Sequence, residues 1–128
     1  MTIKGWIAIA VPVVAVAAWS STSTMLAAPP PGFTEITPGA SGVSASTNDG
    51  NVPANAVDNN LATRWSGSGN GASLTLDLGA PKTVGLVTIA WYKGNTRKAR
   101  FDLQVSLDKV AWTNVVTGGL SGGTTTAE

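Results

Sequence analysis

Residues 50–65 run Gly-Asn-Val-Pro-Ala-Asn-Ala-Val-Asp-Asn-Asn-Leu-Ala-Thr-Arg-Trp and set Asp58, Asn60 and Thr63 in a D-x-N-x-x-T pattern that closes on Trp65. Side-chain oxygens this close together, carried by asparagines that tolerate tight turns, suit a loop wrapped around a hard cation such as Ca²⁺. The same residue types are ordinary in a polar surface loop. Ca²⁺ takes about 6–8 oxygens and the pattern offers only a few side chains, so spacing alone leaves both readings open.

On either side of this loop the chain alternates like short strands cut by turns. Val43–Thr47 alternates, and Asn48-Asp49-Gly50-Asn51 is a turn signal. Leu74, Leu76 and Leu78 interleave with Thr75 and Asp77, which gives one buried and one wet face. After Gly79-Ala80-Pro81, the run Val84–Tyr92 puts Val87, Ile89 and Trp91 on one side. Phe101, Leu103 and Val105 repeat the pattern against Asp102, Gln104 and Ser106, and Leu107–Ala111 turns the chain into Trp112–Val116. The Gly- and Thr-rich end, residues 118–128, suits the start of another strand. No amphipathic helix follows residue 28. The expectation is an all-β, antiparallel sandwich with one face of each sheet buried.

Composition narrows the chemistry. A chain of 128 residues forms one domain at most. It has no Cys and no His, 12% charged residues and a net charge of +1, a balance that implies no general affinity for nucleic acid or anionic membranes. The usual zinc ligands and nucleophile–base pairs are missing, so catalysis would rest on carboxylates, Lys or Tyr.

The first 28 residues are a separate object. Lys4 precedes the uncharged apolar run Gly5–Trp19, and small residues follow. This is the layout of a signal peptide, or of a retained N-terminal anchor if Met25–Ala28 lengthens the apolar stretch. Ala18-Trp19-Ser20 and Ser21-Thr22-Ser23 both offer small residues for cleavage. Residues 29–41, opening Pro29-Pro30-Pro31-Gly32, form a stiff Pro/Gly/Ser linker, and residues 42–128 form the domain. The chain is expected to be secreted, with no stable membrane insertion once the leader is removed.

Four pieces in order resemble a known family: Asp58-x-Asn60-x-x-Thr63-x-Trp65, the Leu74–Gly79 strand, Val87-x-Ile89-x-Trp91, and Phe101–Ser106 followed by Asp108 and Trp112. Together they resemble a coagulation factor 5/8 type C (discoidin) domain, in a bacterial form similar to family 32 carbohydrate-binding modules. The resemblance implies a discoidin-like jelly-roll β-sandwich that binds glycans, or lipids and proteins in animals, through loops at one end. It also implies a structural Ca²⁺ held by Asp58, Asn60 and Thr63 with the backbone carbonyl of Asn55. Trp65 would pack beneath the loop, and Arg64 would be exposed. Relatives complete the ion site with a Glu on a final strand that this chain lacks, since it stops at Glu128. The resemblance therefore implies a C-terminally truncated domain, its final strands missing and its ion site incomplete.

A second stretch, Trp91–Arg100, gathers four cations on a Gly-Asn loop between two strands, with no acid among them. Arg forks and Lys point charges suit carboxylate, sulfate or phosphate, and a neighbouring ring gives sugars a face to stack on. The alternation that buries Trp91 turns Tyr92 outward. The ligand-binding set is then Tyr92, Lys93, Asn95, Arg97, Lys98 and Arg100, unless the loop is simply a solvated cationic one. An acidic, uronate-containing polysaccharide such as alginate or pectin is the expected ligand. Similar bacterial modules are appended to lyases and glycoside hydrolases, so a larger enzyme is the expected companion. A galactose-type pocket is disfavoured, because relatives that bind galactose use a loop His. The carboxylates Asp77, Asp102 and Asp108 fall where ordinary surface acids fall, so no catalytic residue is expected. Nucleic acid is not an expected partner. The alternative function is a cell-surface adhesion module for protein or phospholipid headgroups.

Overall fold

The alternating leucines at 74–76 and the Phe101–Val105 run form ladders as their period of two requires. The structure is a computed structural model, and it describes Ile3–Lys4, Trp6–Ala10 and residues 31–123. The expected cleavage points, the rest of the apolar leader and Pro29–Pro30 of the linker lie outside the described residues, as do residues 124–128.

The strands in chain order are β1 (Ile3–Lys4), β2 (Trp6–Ala10), β3 (Val43–Ala45), β4 (Ser73–Leu76), β5 (Thr83–Val84), β6 (Arg100–Ser106) and β7 (Thr113–Leu120). Five of them make one sheet in the order β3-β4-β2-β6-β7, and β1 pairs with β5. Every pairing is antiparallel. Short 3-10 turns at Ala40–Gly42 and Pro53–Ala56 are the helical elements among the described residues. The domain is all-β, and its main sheet is built from segments distant in sequence.

One strand comes from an unexpected place. Trp6–Ala10, inside the apolar run expected as leader, lies between β4 and β6. There Ile7 registers with Leu76 and Val105, and Ile9 with Leu74 and Leu103. An extended apolar run is compatible with a central strand as well as with a leader, which is why composition alone did not separate the two.

The expected strand Val84–Tyr92 is ladder-bonded only at Thr83–Val84, with a single bridge at Ala90. Its faces follow the alternation in part: Trp91 is buried, Val87 and Ile89 are half-buried and Leu86 and Thr88 are exposed, but Ala90 on the opposite face is buried at its bridge. In contrast, β7 runs on past Val116 to Leu120. The extension is accommodated by irregular register between Phe101 and Gln104, where the Asp102 carboxylate accepts the Gly118 N–H at 2.6 Å.

The core is small and aromatic. Trp65 is fully buried with Ala72, Leu74, Val84, Trp91 and Leu103, and Phe101 tilts against Trp91 at 5.1 Å between ring centroids. The Trp65 indole Nε1–H donates to the Thr47 carbonyl at 3.0 Å, so that donor is not stranded. Burying a ring of this size removes roughly 150–250 Å² from water, an upper estimate of about 4–6 kcal/mol. Gly67 makes that packing possible, because a Cβ there would stand 2.4 Å from the Ala72 Cβ and 3.0 Å from the Trp65 ring.

Segments 46–51 and 66–73 run side by side and fix the base of the loop between them. Ser46 N–H donates to Ser73 O, Asp49 N–H to Ser66 O, and Ser66 N–H to Asn51 O. The Thr47 hydroxyl donates to Ser68 O and accepts the Ser68 N–H. Residues 52–65 therefore leave the sandwich at one end from a fixed base.

Candidate functional site

The loop begins with Pro53, whose fixed φ suits the first turn of the 3-10 segment Pro53–Ala56. The Asn55 N–H donates to Val52 O, and its side-chain amide reaches across to the Arg64 carbonyl at 2.9 Å. Beyond it the chain turns through Asp58, Asn59 and Asn60, all exposed, with Asn59 in the left-handed region at φ 55°. Asn accepts that conformation more readily than most residues.

Within this turn the oxygens converge. Asp58 Oδ1 accepts the Asn60 N–H at 2.9 Å, and Asn60 Oδ1 accepts the Ala62 N–H at 2.9 Å. The Thr63 hydroxyl donates to Asp58 Oδ2 and also lies 2.9 Å from the Asn60 carbonyl. The loop thus gathers one carboxylate, one amide oxygen, one hydroxyl and one backbone carbonyl, all hard donors with lone pairs to spare. This donor set fits a Ca²⁺ ion, which would be held by Asp58, Asn60 and Thr63 and would supply structural cross-linking rather than chemistry. No group of three or more His, Cys, Asp or Glu is gathered among the described residues, so such an ion would depend on a single charge plus neutral oxygens. Nearby, Asp49 accepts from the Asn51 amide at 2.7 Å. That bond, helped by Ser66 and to the smallest extent by the charge of Arg64, holds its carboxyl below the ordinary range.

The basic loop folds around one carbonyl. Lys93, at φ 52°, accepts the N–H groups of Thr96 and Arg97, each at 2.8 Å, while Gly94 N–H donates to Trp91 O. This brings Arg97 back toward Tyr92. The Tyr92 ring is half-buried, with the Lys93 ammonium 5.3 Å and the Arg97 guanidinium 6.0 Å from its centroid. A third cation, Arg64, is nearest of all at 4.4 Å. Such distances are those of cation–π contacts. Arg64 was expected to be exposed. It is half-buried because it sits on Tyr92, and it joins the ion loop to the basic loop.

The other expected ligand residues are placed differently. The Lys98 ammonium donates to the carbonyls of Ser121 and Gly122, which ties it to the end of β7. Arg100 is exposed on β6, in register with Leu120. Asn95 is exposed on the loop between Gly94 and Thr96. Of the six, the structure gathers Tyr92, Lys93 and Arg97, and it adds Arg64. The signal that could have pointed to Arg64 is its place beside a buried Trp65, since neighbours in extended chain face opposite ways.

With this geometry described, the comparison with known proteins is direct. Residues 40–128, well over half of the chain, match the F5/8 type C domain. The chain belongs to the F5/8 type C (discoidin) family. Discoidin domains are β-sandwiches that generally serve as non-catalytic modules binding carbohydrates or lipids, and they are typically extracellular. The matched segment starts after β1 and β2, so the central strand of the discoidin sheet is contributed here from outside it. No curated protein and no solved structure matches the chain. No helix among the described residues is long and apolar enough to cross a membrane.

Proposed function

We propose that this discoidin domain is the non-catalytic carbohydrate-binding module of a secreted protein, that it recognises an acidic, uronate-containing polysaccharide, and that it anchors a larger enzyme to that polymer. The observation that carries the reading is the convergence of Arg64, Lys93 and Arg97 on the single ring of Tyr92. None of the three forms an ion pair among the described residues, where the only bridge joins Lys109 to Asp77. Apart from the weak pull of Asp49 on Arg64, no carboxylate balances these cations, so they present their charge to an external anion and their mutual repulsion is relieved when one arrives. A structural Ca²⁺ at Asp58, Asn60, Thr63 and the Asn55 carbonyl belongs to the same proposal, as an element that stiffens the loop carrying Arg64.

Retention on polygalacturonate and alginate, compared with neutral galactan and with anionic liposomes, tests the reading. Binding to the uronate polymers that weakens with salt and fails on neutral galactan is the expected result. Equal retention on liposomes favours the phospholipid alternative, and retention on neither removes both.

A further inference from the structure

The position of Arg64 changes what the aromatic residue can do. A sugar that stacks on Tyr92 needs a bare ring face, yet the Arg64 guanidinium carbon lies 4.4 Å from the ring centroid. A sugar ring could not occupy that face without displacing it. A guanidinium at this distance packs on the ring while its planar set of N–H donors remains able to reach a ligand. Its backbone is also fixed. The Arg64 carbonyl accepts from the Asn55 amide at 2.9 Å, and the next residue, Trp65, is fully buried. No hydrogen-bond partner of the guanidinium is found among the described residues. The group is thus charged, half-buried against Tyr92 and without an ion pair, with only the more distant charge of Asp49 acting on it. The guanidinium fork matches the two oxygens of a carboxylate, which a Lys ammonium does only as a point charge.

Resting on the carbohydrate reading above, we infer that Arg64 is the residue that contacts the carboxylate of the uronate ligand, and that Tyr92 is a positioning residue that holds the Arg64 fork rather than the platform for the sugar. Arg97 and Lys93 add field from the basic loop. The ligand is then read by its anionic group first and its ring second. The neutral sugar of the same stereochemistry is disfavoured because it brings no anion to the Arg64 fork.

The test follows the Nε–H resonances of Arg64, Arg97 and Arg100, the three arginines of the 128-residue sequence, by NMR. The titrants are oligogalacturonate, the neutral galactose oligomer and acetate. The expected result is a shift of Arg64 with oligogalacturonate and acetate, and none with the neutral oligomer. Arg64→Lys should weaken oligogalacturonate binding by about tenfold or more, the usual scale for losing a bidentate charged contact. Tyr92→Leu should weaken it comparably, and Tyr92→Phe, which keeps the ring, should leave it within about twofold. A merely structural Tyr92 would show its loss in the melting midpoint and not in the selective silence of Arg64, so melting curves accompany each variant.

A moving Arg97 with a silent Arg64 overturns the assignment and leaves the carbohydrate reading intact. Unchanged or tighter binding by Arg64→Ala also overturns it, since that is what an unblocked sugar platform would give. A shift with acetate but not with oligogalacturonate keeps the anion contact at Arg64 and sinks the uronate reading. Silence toward all titrants sinks both.

Discussion

The side-chain amide of Asn55 donates to the carbonyl of Arg64 at 2.9 Å and so spans the loop from its opening turn to its closing residue. Replacing Asn55 with Ala leaves that half-buried carbonyl without its partner. The loss of one such bond costs about 0.5–1.5 kcal/mol. We expect Asn55→Ala to lower the melting midpoint by several degrees and to weaken oligouronate binding more than it weakens the fold. A variant that melts lower but binds as before would detach the loop brace from the ligand site.

Lys98 should behave unlike its neighbours in the basic loop. Its ammonium is engaged by the Ser121 and Gly122 carbonyls. Lys98→Ala is therefore expected to cost stability, on the order of 1 kcal/mol, and to leave polyuronate affinity nearly unchanged. Arg97→Ala should do the reverse, lowering affinity and flattening its salt dependence with little effect on melting. Equal losses of affinity in both variants would return Lys98 to the binding surface.

Calcium should raise the melting midpoint and chelator should lower it. An ion present at about a hundred times its dissociation constant adds about 2.7 kcal/mol of stability. Asp58 supplies the one negative charge of the donor set, so Asp58→Ala should abolish the shift. A calcium response that survives in Asp58→Ala means the ion sits elsewhere.

Acid should loosen the sandwich through its turns. The Asp108 carboxylate accepts the N–H groups of Ala111 and Val110 at 2.9 and 2.8 Å, and these bonds, with Ser106, hold its pKa below the ordinary 3.8. Asp49 is lowered by its Asn51 contacts. For Asp77 burial works against the charge, but the Gly79 N–H and Lys109 outweigh it and the shift is again downward. A carboxyl with a depressed folded-state pKa contributes stability that is complete above its unfolded value and is lost as pH falls through the folded one. Stability should therefore hold down to about pH 4 and fall steeply below pH 3.8. In urea titrations across that range, Asp108→Asn should flatten the dependence, and a variant that keeps the wild-type slope would remove Asp108 from the cause.

Gly67→Ala is expected to destabilise the domain by about 1–3 kcal/mol, the usual cost of overpacking. The added Cβ meets the Ala72 Cβ at 2.4 Å and the Trp65 ring at 3.0 Å, and both neighbours are buried. A red shift in tryptophan emission together with a lower urea midpoint would report the disturbed packing. An unchanged midpoint would mean the two segments part without cost.

Where the chain alternates strictly, most of the faces were legible. Leu74 and Leu103 are buried on the faces their spacing assigns and Trp65 is core, but Ser106, expected on the wet face, is buried too, because its hydroxyl is used within the Ser106–Lys109 turn. The local turn chemistry of Asp58, Asn60 and Thr63 was equally legible, because Asx-type contacts span two or three residues. What could not be read was long-range. Arg64 meets Tyr92, and Lys98 meets Ser121, only after the sheet has formed. Nor does a ladder follow from pattern alone: Val84–Tyr92 has the alternation of a strand but lacks neighbours aligned to bond it along most of its length.

The place of β2 in the sheet has a consequence for the order of events during synthesis. Ala8 leaves the ribosome long before Thr75 and longer still before Gln104, the two residues it registers with. The segment that ends up in the middle of the sheet is the first made of its five strands, and it gains its second neighbour only when β6 emerges. Closing loops of that length is slow, and the Trp-Ile-Ala-Ile-Ala run must stay extended and unaggregated meanwhile. Timing therefore decides the outcome for this sheet. Whatever captures or trims residues 6–10 before Gln104 emerges removes the seam along which β4 and β6 are joined.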